Sequence, residues 1–392
     1  MRTQVGIIGC GPAGLFLALL LARAGIGCVN LERRSRAEVE TTLRAGVLEH
    51  WVAELMDALG VGARMRREAH FHDGITLQWD RMRHHVDIEA LSGGRRVTVY
   101  PQHEVLKDLI AGRLAQGGEL LFGVEETEIS GADTDAPSIA FRRHGGELET
   151  LHCDYIVGAD GFHGPSRQAI PRASRVEYEK VYPFGWLGIL VRAKKSWHEL
   201  IYANQAGGFA LLSTRSDDVQ RMYVQCSPTD KIEDWPDSCI WAELDARLGT
   251  NDNWSLTRGE IFQKNIVGLR SFVCEPMQHG KLFIAGDAAH IVPPTGAKGL
   301  NLAVADVLVF SRALEDKYRR GRQEGLDCYS ETCLRRIWKA ERFSWFMTTM
   351  MHHNPHETGF ERRIHRADLD LIRTSRAAAM SLAENYVGLA FD

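Results

Sequence analysis

The sequence contains no apolar run long enough to cross a bilayer. The longest near the N-terminus, Leu15 to Ala22, falls well short of the roughly 20 residues that a spanning helix needs. It follows a strand and a glycine turn, so it does not read as a signal peptide. There is no C-x-x-C pair. The eight cysteines are scattered, and the nearest two, Cys328 and Cys333, have a spacing that fits no common metal site. No metal, no membrane and a reduced, cytoplasmic setting are therefore expected. A strong charge of either sign is also missing. The formal net charge of −4 argues against a nucleic-acid partner. Repeats and low-complexity linkers are absent. What remains is an ordinary globular composition, 44% hydrophobic and 25% charged over 392 residues, enough for two or three domains with a sizeable core.

The first chemistry lies at the N-terminus. Val5 to Ile8 is a short apolar strand, Gly9, Gly11 and Gly14 spell G-x-G-x-x-G, and Leu15 to Arg23 is a Leu/Ala-rich helix. Gly9 allows a tight turn, Gly11 lets backbone approach a pyrophosphate, and Gly14 lets helix and strand pack closely. The helix N-terminus then meets the phosphates with free amides. The next strand, Cys28 to Glu32, ends in an acid placed to bind a ribose hydroxyl. This unit serves NAD and FAD alike.

Two later segments bear on that choice. An apolar strand at Tyr155 to Val157 runs into Asp160-Gly161 and on to Ser166-Arg167. Another, in 281-KLFIAGDAAH-290, ends in Gly286-Asp287. Three strands thus each end in a glycine turn, in an order that resembles the class A FAD monooxygenases, the flavoprotein aromatic hydroxylases. The words 44-RAGVLEH-50, 181-VYPFGWLG-188, 200-LIYAN-204, 275-EPMQHGKLFIAGDAAHIVPPTGAKGLNLA-303, 334-LRRIWKAERFSW-345 and 384-ENYVGL-389 strengthen the resemblance, and they run nearly end to end. They point to the branch of the family that acts on 4-hydroxybenzoate.

The resemblance implies FAD as cofactor, a nicotinamide nucleotide as reductant, and insertion of one oxygen atom from O₂ ortho to a phenol through a flavin C4a-hydroperoxide. Asp287 would bind the ribityl and pyrophosphate, Arg44 the pyrophosphate, and Gln102 the flavin. Asp160 would serve both nucleotides. Lys298 would add positive potential near the isoalloxazine, and Gly299, Leu300 and Asn301 would present amides, with a helix beginning at Asn301. Arg221 would bias the flavin between an inner and an outer position. The electrophile needs a phenolate, so Tyr202, Tyr386 and His72 would form a proton relay from the substrate to solvent. Tyrosine hydroxyls both donate and accept, and histidine titrates near neutrality. No spacing in the sequence brings those three residues together. Ser213, Arg215 and Tyr223 would clamp a carboxylate. Ser213 and Arg215 alternate along a strand and so share a face, and arginine grips a carboxylate with two parallel bonds. The Pro294 carbonyl would accept from the substrate phenol.

There is no second G-x-G-x-x-G, so the reductant has no Rossmann domain of its own. In the family it lies in a groove against 33-RRSRAEVETTLR-44, with His163 and Arg270 as further contacts. This chain has Glu38 and Thr42 where the NADPH-using pattern has tyrosine and arginine. An acid repels a 2′-phosphate and a lost arginine removes its partner. Arg33, Arg34 and Arg36 push the other way, but Arg34 and Glu38 are spaced for an i,i+4 pair that neutralises both. Use of NADH, or of both nucleotides, is expected.

The fold class that follows is α/β: a Rossmann-like FAD-binding domain, a mostly antiparallel β-sheet substrate domain and a helical C-terminal region. FAD-binding parts are expected at 1–70, 101–175 and 276–315. Strands at 71–100 would join the substrate sheet at 176–275, and 316–392 would be helical and support a homodimer. Residues 354–380 carry no readable function. Three readings stay open. One is hydroxylation of 4-hydroxybenzoate. Another is the same chemistry on a related ring such as 4-aminobenzoate or another hydroxybenzoate. The last is a non-catalytic flavin or nucleotide sensor, for which a buried polar relay would be an unneeded desolvation cost.

Overall fold

In the computed structural model, which describes residues 1–252 and 254–391, the N-terminal strands Val5–Ile8 and Cys28–Glu32 are buried along their whole length. Burial on both faces is the condition of a parallel sheet covered by helices. The two pair in parallel, Val5 opposite Cys28, and Tyr155–Gly158 pairs in parallel on the other side, Val5 opposite Tyr155. Leu282–Ile284 and Glu119–Phe122 extend this sheet in parallel, and Gln278–His279 closes one edge antiparallel, giving six strands. The helix after the glycine turn runs Pro12–Ala24, one turn earlier than its Leu/Ala pattern marks. Pro12 suits the first helical position, where its fixed φ is already helical and its missing N–H would be unpaired anyway.

The second sheet has eight strands, in the spatial order His290–Ile291, Glu260–Glu275, Val176–Arg192, Val219–Cys226, Gly208–Ser216, Leu200–Gln205, Gly74–Trp79 and Met82–Asp87. Its pairings are antiparallel except Leu200–Gln205 against Gly74–Trp79. The last two strands come from the expected 71–100 region. Directly opposed residues share a face. Tyr202 opposes Leu211, Leu211 opposes Tyr223, and Tyr223 opposes Gly188. One face therefore carries Trp186, Tyr202, Leu211, Ser213, Arg221 and Tyr223, while Arg215 falls at a register shift between Thr214 and Ser216. This face packs on the C-terminal helices through Phe343, Met347 and Tyr386. The other face, with Leu187, Ile201, Leu212 and Met222, packs on Ile240 and Leu244 of the Asp237–Leu248 helix.

From residue 299 onward the chain is helical: Gly299–Arg320, Tyr329–Met351, Gly359–Thr374 and Arg376–Val387, with one short turn of helix between the first two. The first of these begins at Gly299 rather than Asn301. Ala297 sits at φ 54, so the chain has already turned, and Lys298 takes the cap. The segment 354–380 also has a local explanation. Thr358 accepts from the Glu361 amide while the Glu361 side chain accepts from the Thr358 amide, a reciprocal cap that starts the third helix. No described helix is long and apolar enough to cross a membrane.

Candidate active site

The dinucleotide cleft is built from the ends of the parallel strands. Gly9, at φ 115, brings its backbone so close to Ala159 that a Cβ would lie 2.2 Å from that carbonyl oxygen. At Gly14 a Cβ would lie 2.1 Å from the Gly9 carbonyl oxygen. These two glycines serve packing. Gly11 differs, because nothing lies within 4 Å of where its Cβ would be. That open space faces the start of the Pro12–Ala24 helix, where free amides point outward, and it suits a phosphate group. Glu32 takes the Cys10 amide on one carboxylate oxygen (2.7 Å) and the Arg34 amide and Nε on the other. A carboxylate has about four acceptor positions, which leaves capacity for a ribose hydroxyl.

Asp160 accepts the Ser166 amide at 2.8 Å and leaves its other oxygen buried without a partner. Burial raises its pKa and Ser166 lowers it. Asp287 is exposed to the cleft, yet the protein around it raises its carboxyl pKa, with Arg44 and His290 pulling it back. Arg44 is exposed in a loop held against the start of the Gln102–Ala115 helix. The tether is Gly46, whose Cβ would lie 2.7 Å from the Gln102 amide nitrogen. Gly46, two residues after Arg44, thus lies against the backbone of Gln102.

At the end of the double-proline run, Leu302 makes the first i→i−4 bond, to the Lys298 carbonyl. The amides of Gly299, Leu300 and Asn301 precede it and lie in the first turn, where the helix dipole favours negative charge. Two side chains here have partners that the sequence did not announce. Lys298 is buried and bonded to Glu49 at 2.6 Å and to the Tyr386 carbonyl at 3.0 Å. Burial lowers its pKa and Glu49 raises it. Its charge is therefore compensated before it can act as free positive potential. Asn301 binds the Val47 and Ala297 carbonyls and the Glu49 amide, so it braces the segment around Glu49. Glu49 also takes the Trp51 indole N–H at 2.6 Å. It lies inside the word 44-RAGVLEH-50, but its hydrogen bonds join residues some 250 positions away.

The sheet face holds the other half of the site. Tyr202 and Tyr386 are buried, with hydroxyls 2.6 Å apart. Burial pushes the Tyr202 hydroxyl pKa up to about 12 and raises that of Tyr386. His72 departs from the expected relay exit: it is buried, neither ring nitrogen has a protein partner, so it does not bond Tyr386, and burial lowers its pKa to about 4, away from neutrality. Burial lowers the Arg215 pKa while the neighbouring Tyr223 hydroxyl raises it, and its Nη1 is buried with no protein partner. A guanidinium nitrogen left over in this way is available to an acidic ligand. Ser213 is buried on the same strand, directly opposite Arg221. Arg221 is buried, contacts Asn265 at 3.3 Å and lies over the Tyr223 ring at 5.1 Å. Gly188 makes room for that ring, since a Cβ there would lie 2.9 Å from Tyr223 Cε1. Pro294 is exposed, and its carbonyl accepts the Ala297 amide at 3.0 Å, which leaves one lone pair.

The nucleotide-groove residues divide into two groups. His163 is exposed with its ring 5.1 Å from Phe162, and Arg270 lies over the same ring at 4.9 Å, so these two are brought together. Arg33 and Glu38 are exposed on the Cys28–Thr41 side. The Arg34–Glu38 pair does not form. Arg34 lies before the helix cap, Ser35, so helical i,i+4 geometry does not apply to it, and it binds Glu32 at 3.1 Å instead. Glu38 closes a capping box with Ser35, and the i,i+4 pair that does form is Arg36–Glu40 at 2.7 Å.

Comparison with known proteins agrees with this geometry. Residues 2–344 match the family described as FAD binding domain. The p-hydroxybenzoate hydroxylase of Acinetobacter baylyi is 46% identical over 393 aligned positions, covering 100% of this chain and 96% of that protein. The 6-methylpretetramide 4-monooxygenase of Streptomyces rimosus is 27% identical, covering 81% and 77%. Among solved structures, p-nitrophenol 4-monooxygenase from Pseudomonas putida DLL-E4 shares the fold with a TM-score of 0.85 at 18% identity, covering 99% of both chains. With a flavin-binding match over most of its length and a relative this similar from end to end, the chain belongs to the FAD-binding-domain family and is a flavoprotein monooxygenase of the class A aromatic hydroxylases.

Proposed function

We propose that the protein hydroxylates 4-hydroxybenzoate at the 3-position, giving 3,4-dihydroxybenzoate, with O₂ and NAD(P)H consumed. The carrying observation is the Tyr202–Tyr386 hydroxyl pair, buried at 2.6 Å on the sheet that also holds Arg215, whose Nη1 has no protein partner. Arg215, Ser213 and Tyr223 bind the substrate carboxylate. The ring then extends toward Tyr202, with the Pro294 carbonyl at the phenol end. Tyr202 accepts the phenol proton while donating its own to Tyr386, so no tyrosinate forms; its raised pKa keeps it neutral at working pH. His72, neutral and without a protein partner, takes the proton onward through water. Gly11, Asp287, Arg44, Gln102 and the amides at Gly299 to Asn301 would hold FAD, which when bound and reduced would supply an electrophilic oxygen derived from O₂.

The reductant reading stays with NADH, or with both nucleotides. Glu38 is exposed and not neutralised by Arg34, and Thr42 turns its hydroxyl back to the Glu38 carbonyl at 2.6 Å. A homodimer through the C-terminal helices is supported by Trp338 and Trp345. These lie seven residues apart on the Tyr329–Met351 helix and are 43% and 48% exposed. Sedimentation of the holoenzyme checks this, and a monomer at micromolar concentration refutes it.

The test of function mixes protein, FAD and NADH or NADPH with a panel of benzoates, 4-aminobenzoate included. NADH oxidation, O₂ uptake and product are followed together. Near 1:1 product from 4-hydroxybenzoate is expected. Product from another ring alone shifts the substrate, and no response to any aromatic sinks the enzyme reading. A strong NADPH preference in kcat/KM refutes the nucleotide reading.

A further inference from the structure

A chain of contacts that the proposed chemistry does not use joins the Thr295 turn to the sheet face that carries Tyr223. It begins at Thr295, fully buried in the turn after the double proline. Thr348 Oγ1 lies 3.0 Å from Thr295 Oγ1 and donates to the Ser344 carbonyl at 2.7 Å. The Thr348 carbonyl is 2.9 Å from His352 Nδ1, and His352 Nε2 is 2.6 Å from the Trp186 indole nitrogen. Trp186 lies against Tyr223, ring centres 4.7 Å apart, and Tyr223 is the neighbour whose hydroxyl raises the pKa of buried Arg215.

The chemistry of the donors fixes the protonation of His352. An indole nitrogen only donates, so Nε2 must accept, and the single proton sits on Nδ1, facing the Thr348 carbonyl. An imidazolium would set N–H against N–H. Burial lowers the His352 pKa to about 3, which keeps the ring neutral. The imidazole also stacks between Phe209, at 4.2 Å, and Phe184, at 4.6 Å. The same end of the Tyr329–Met351 helix is tied to the sheet twice more. Asn204 donates to the Met350 carbonyl at 2.9 Å, and Gln225 donates to the His353 carbonyl at 2.6 Å. Trp186 therefore cannot tilt without giving up its bond to a ring that has no room to follow.

We infer that His352 is a positioning residue that fixes Trp186, and through it the Tyr223–Arg215 clamp, at a set distance from the Thr295 turn, so that the substrate ring meets the oxygen in register. The inference rests on the hydroxylase reading, and the register matters because reacting atoms must align within a fraction of an ångström.

The test uses holoenzyme variants H352F and H352Q. H352F keeps a ring and loses both hydrogen bonds, while H352Q keeps an acceptor. With 4-hydroxybenzoate, H352F should lose at least about threefold in product per NADH, while flavin reduction at saturating substrate stays within about twofold. Its substrate Kd should rise about tenfold. H352Q should recover most of the coupling. W186F breaks the same bond from the other side and leaves no buried donor, so it should reproduce the split even where H352F folds poorly. Coupling in W186F equal to wild type overturns the inference. So does a parallel fall of coupling and flavin reduction in every variant, which marks a purely structural role. Wild-type enzyme that makes no product from 4-hydroxybenzoate sinks the function reading instead.

Discussion

Replacing Tyr202 with phenylalanine removes one hydroxyl and should separate flavin reduction from hydroxylation. A phenol with a pKa of about 10 is ionised in roughly one molecule in 10³ at pH 7, so the ring reaction depends on help with the proton. In the proposed relay Tyr202 offers that help through its 2.6 Å bond to Tyr386, with both groups buried. Its own pKa of about 12 means that it passes a proton and does not store a charge. General acid–base assistance of this kind contributes about 10²–10⁴-fold. If hydroxylation slows by even about 10²-fold, loss of the activated oxygen as peroxide overtakes it, and product per NADH should drop below about one tenth. NADH oxidation stimulated by 4-hydroxybenzoate should persist, because the substitution leaves the proposed carboxylate clamp of Ser213, Arg215 and Tyr223 untouched. Stability should fall by about 1–3 kcal/mol, since the buried Tyr386 hydroxyl loses this bond. The assay pairs NADH absorbance with product and peroxide quantitation on one sample. Wild-type coupling in Y202F would refute the relay, and loss of NADH oxidation in step with product would refute the division of labour.

Arg215→Lys should raise the Kd for 4-hydroxybenzoate by about 10–100-fold, because an ammonium cannot replace a planar two-bond grip; an unchanged Kd removes Arg215 from the clamp. Gly11→Ala meets no atom within 4 Å, so the apoprotein should melt as wild type while FAD affinity, read by flavin fluorescence, falls at least about tenfold. Equal FAD affinity would show that the open space is not the phosphate site. Glu341 is buried, and its pKa is raised to about 7 by burial against an ordinary value of 4.5. The unfolded chain releases that proton first. The favourable term is therefore complete below about pH 4.5 and lost as pH rises through 7, a change of about 3 kcal/mol. Glu341→Gln should then stabilise the protein at pH 8.5 relative to wild type, and the gain should shrink by pH 5. A Tm difference independent of pH contradicts this.

The dinucleotide unit was readable because its physics is local. Three glycines, a strand and a helix lie within 25 residues, and the strands appear at the expected ends. Strand period alone puts Ser213 and Arg215 on one face, but the register shift between Thr214 and Ser216 falls at Arg215, a break that the sequence period does not show. The helix start near Lys298 was misplaced because an αL residue, Ala297, ends the turn where only glycine normally would. The Arg34–Glu38 pair failed because sequence spacing says nothing of where a helix begins unless its cap is read first. Here Ser35-x-x-Glu38 was the cap. The same signature at Thr358-x-x-Glu361 would have placed the third C-terminal helix.

By itself, then, the sequence determined the nucleotide fold, the likeness to a known family and the residue types available for catalysis, because those reside in short-range spacing and in words of several residues. Only the tertiary structure decided which of them meet. It joined Tyr202 to Tyr386 across 184 positions, compensated Lys298 with Glu49 across 249, and set His352 against Trp186 across 166. Partnerships at that separation depend on how the long strands and C-terminal helices pack. A buried polar atom takes whichever partner the packing puts within 3 Å, and no local pattern in the chain encodes that distance.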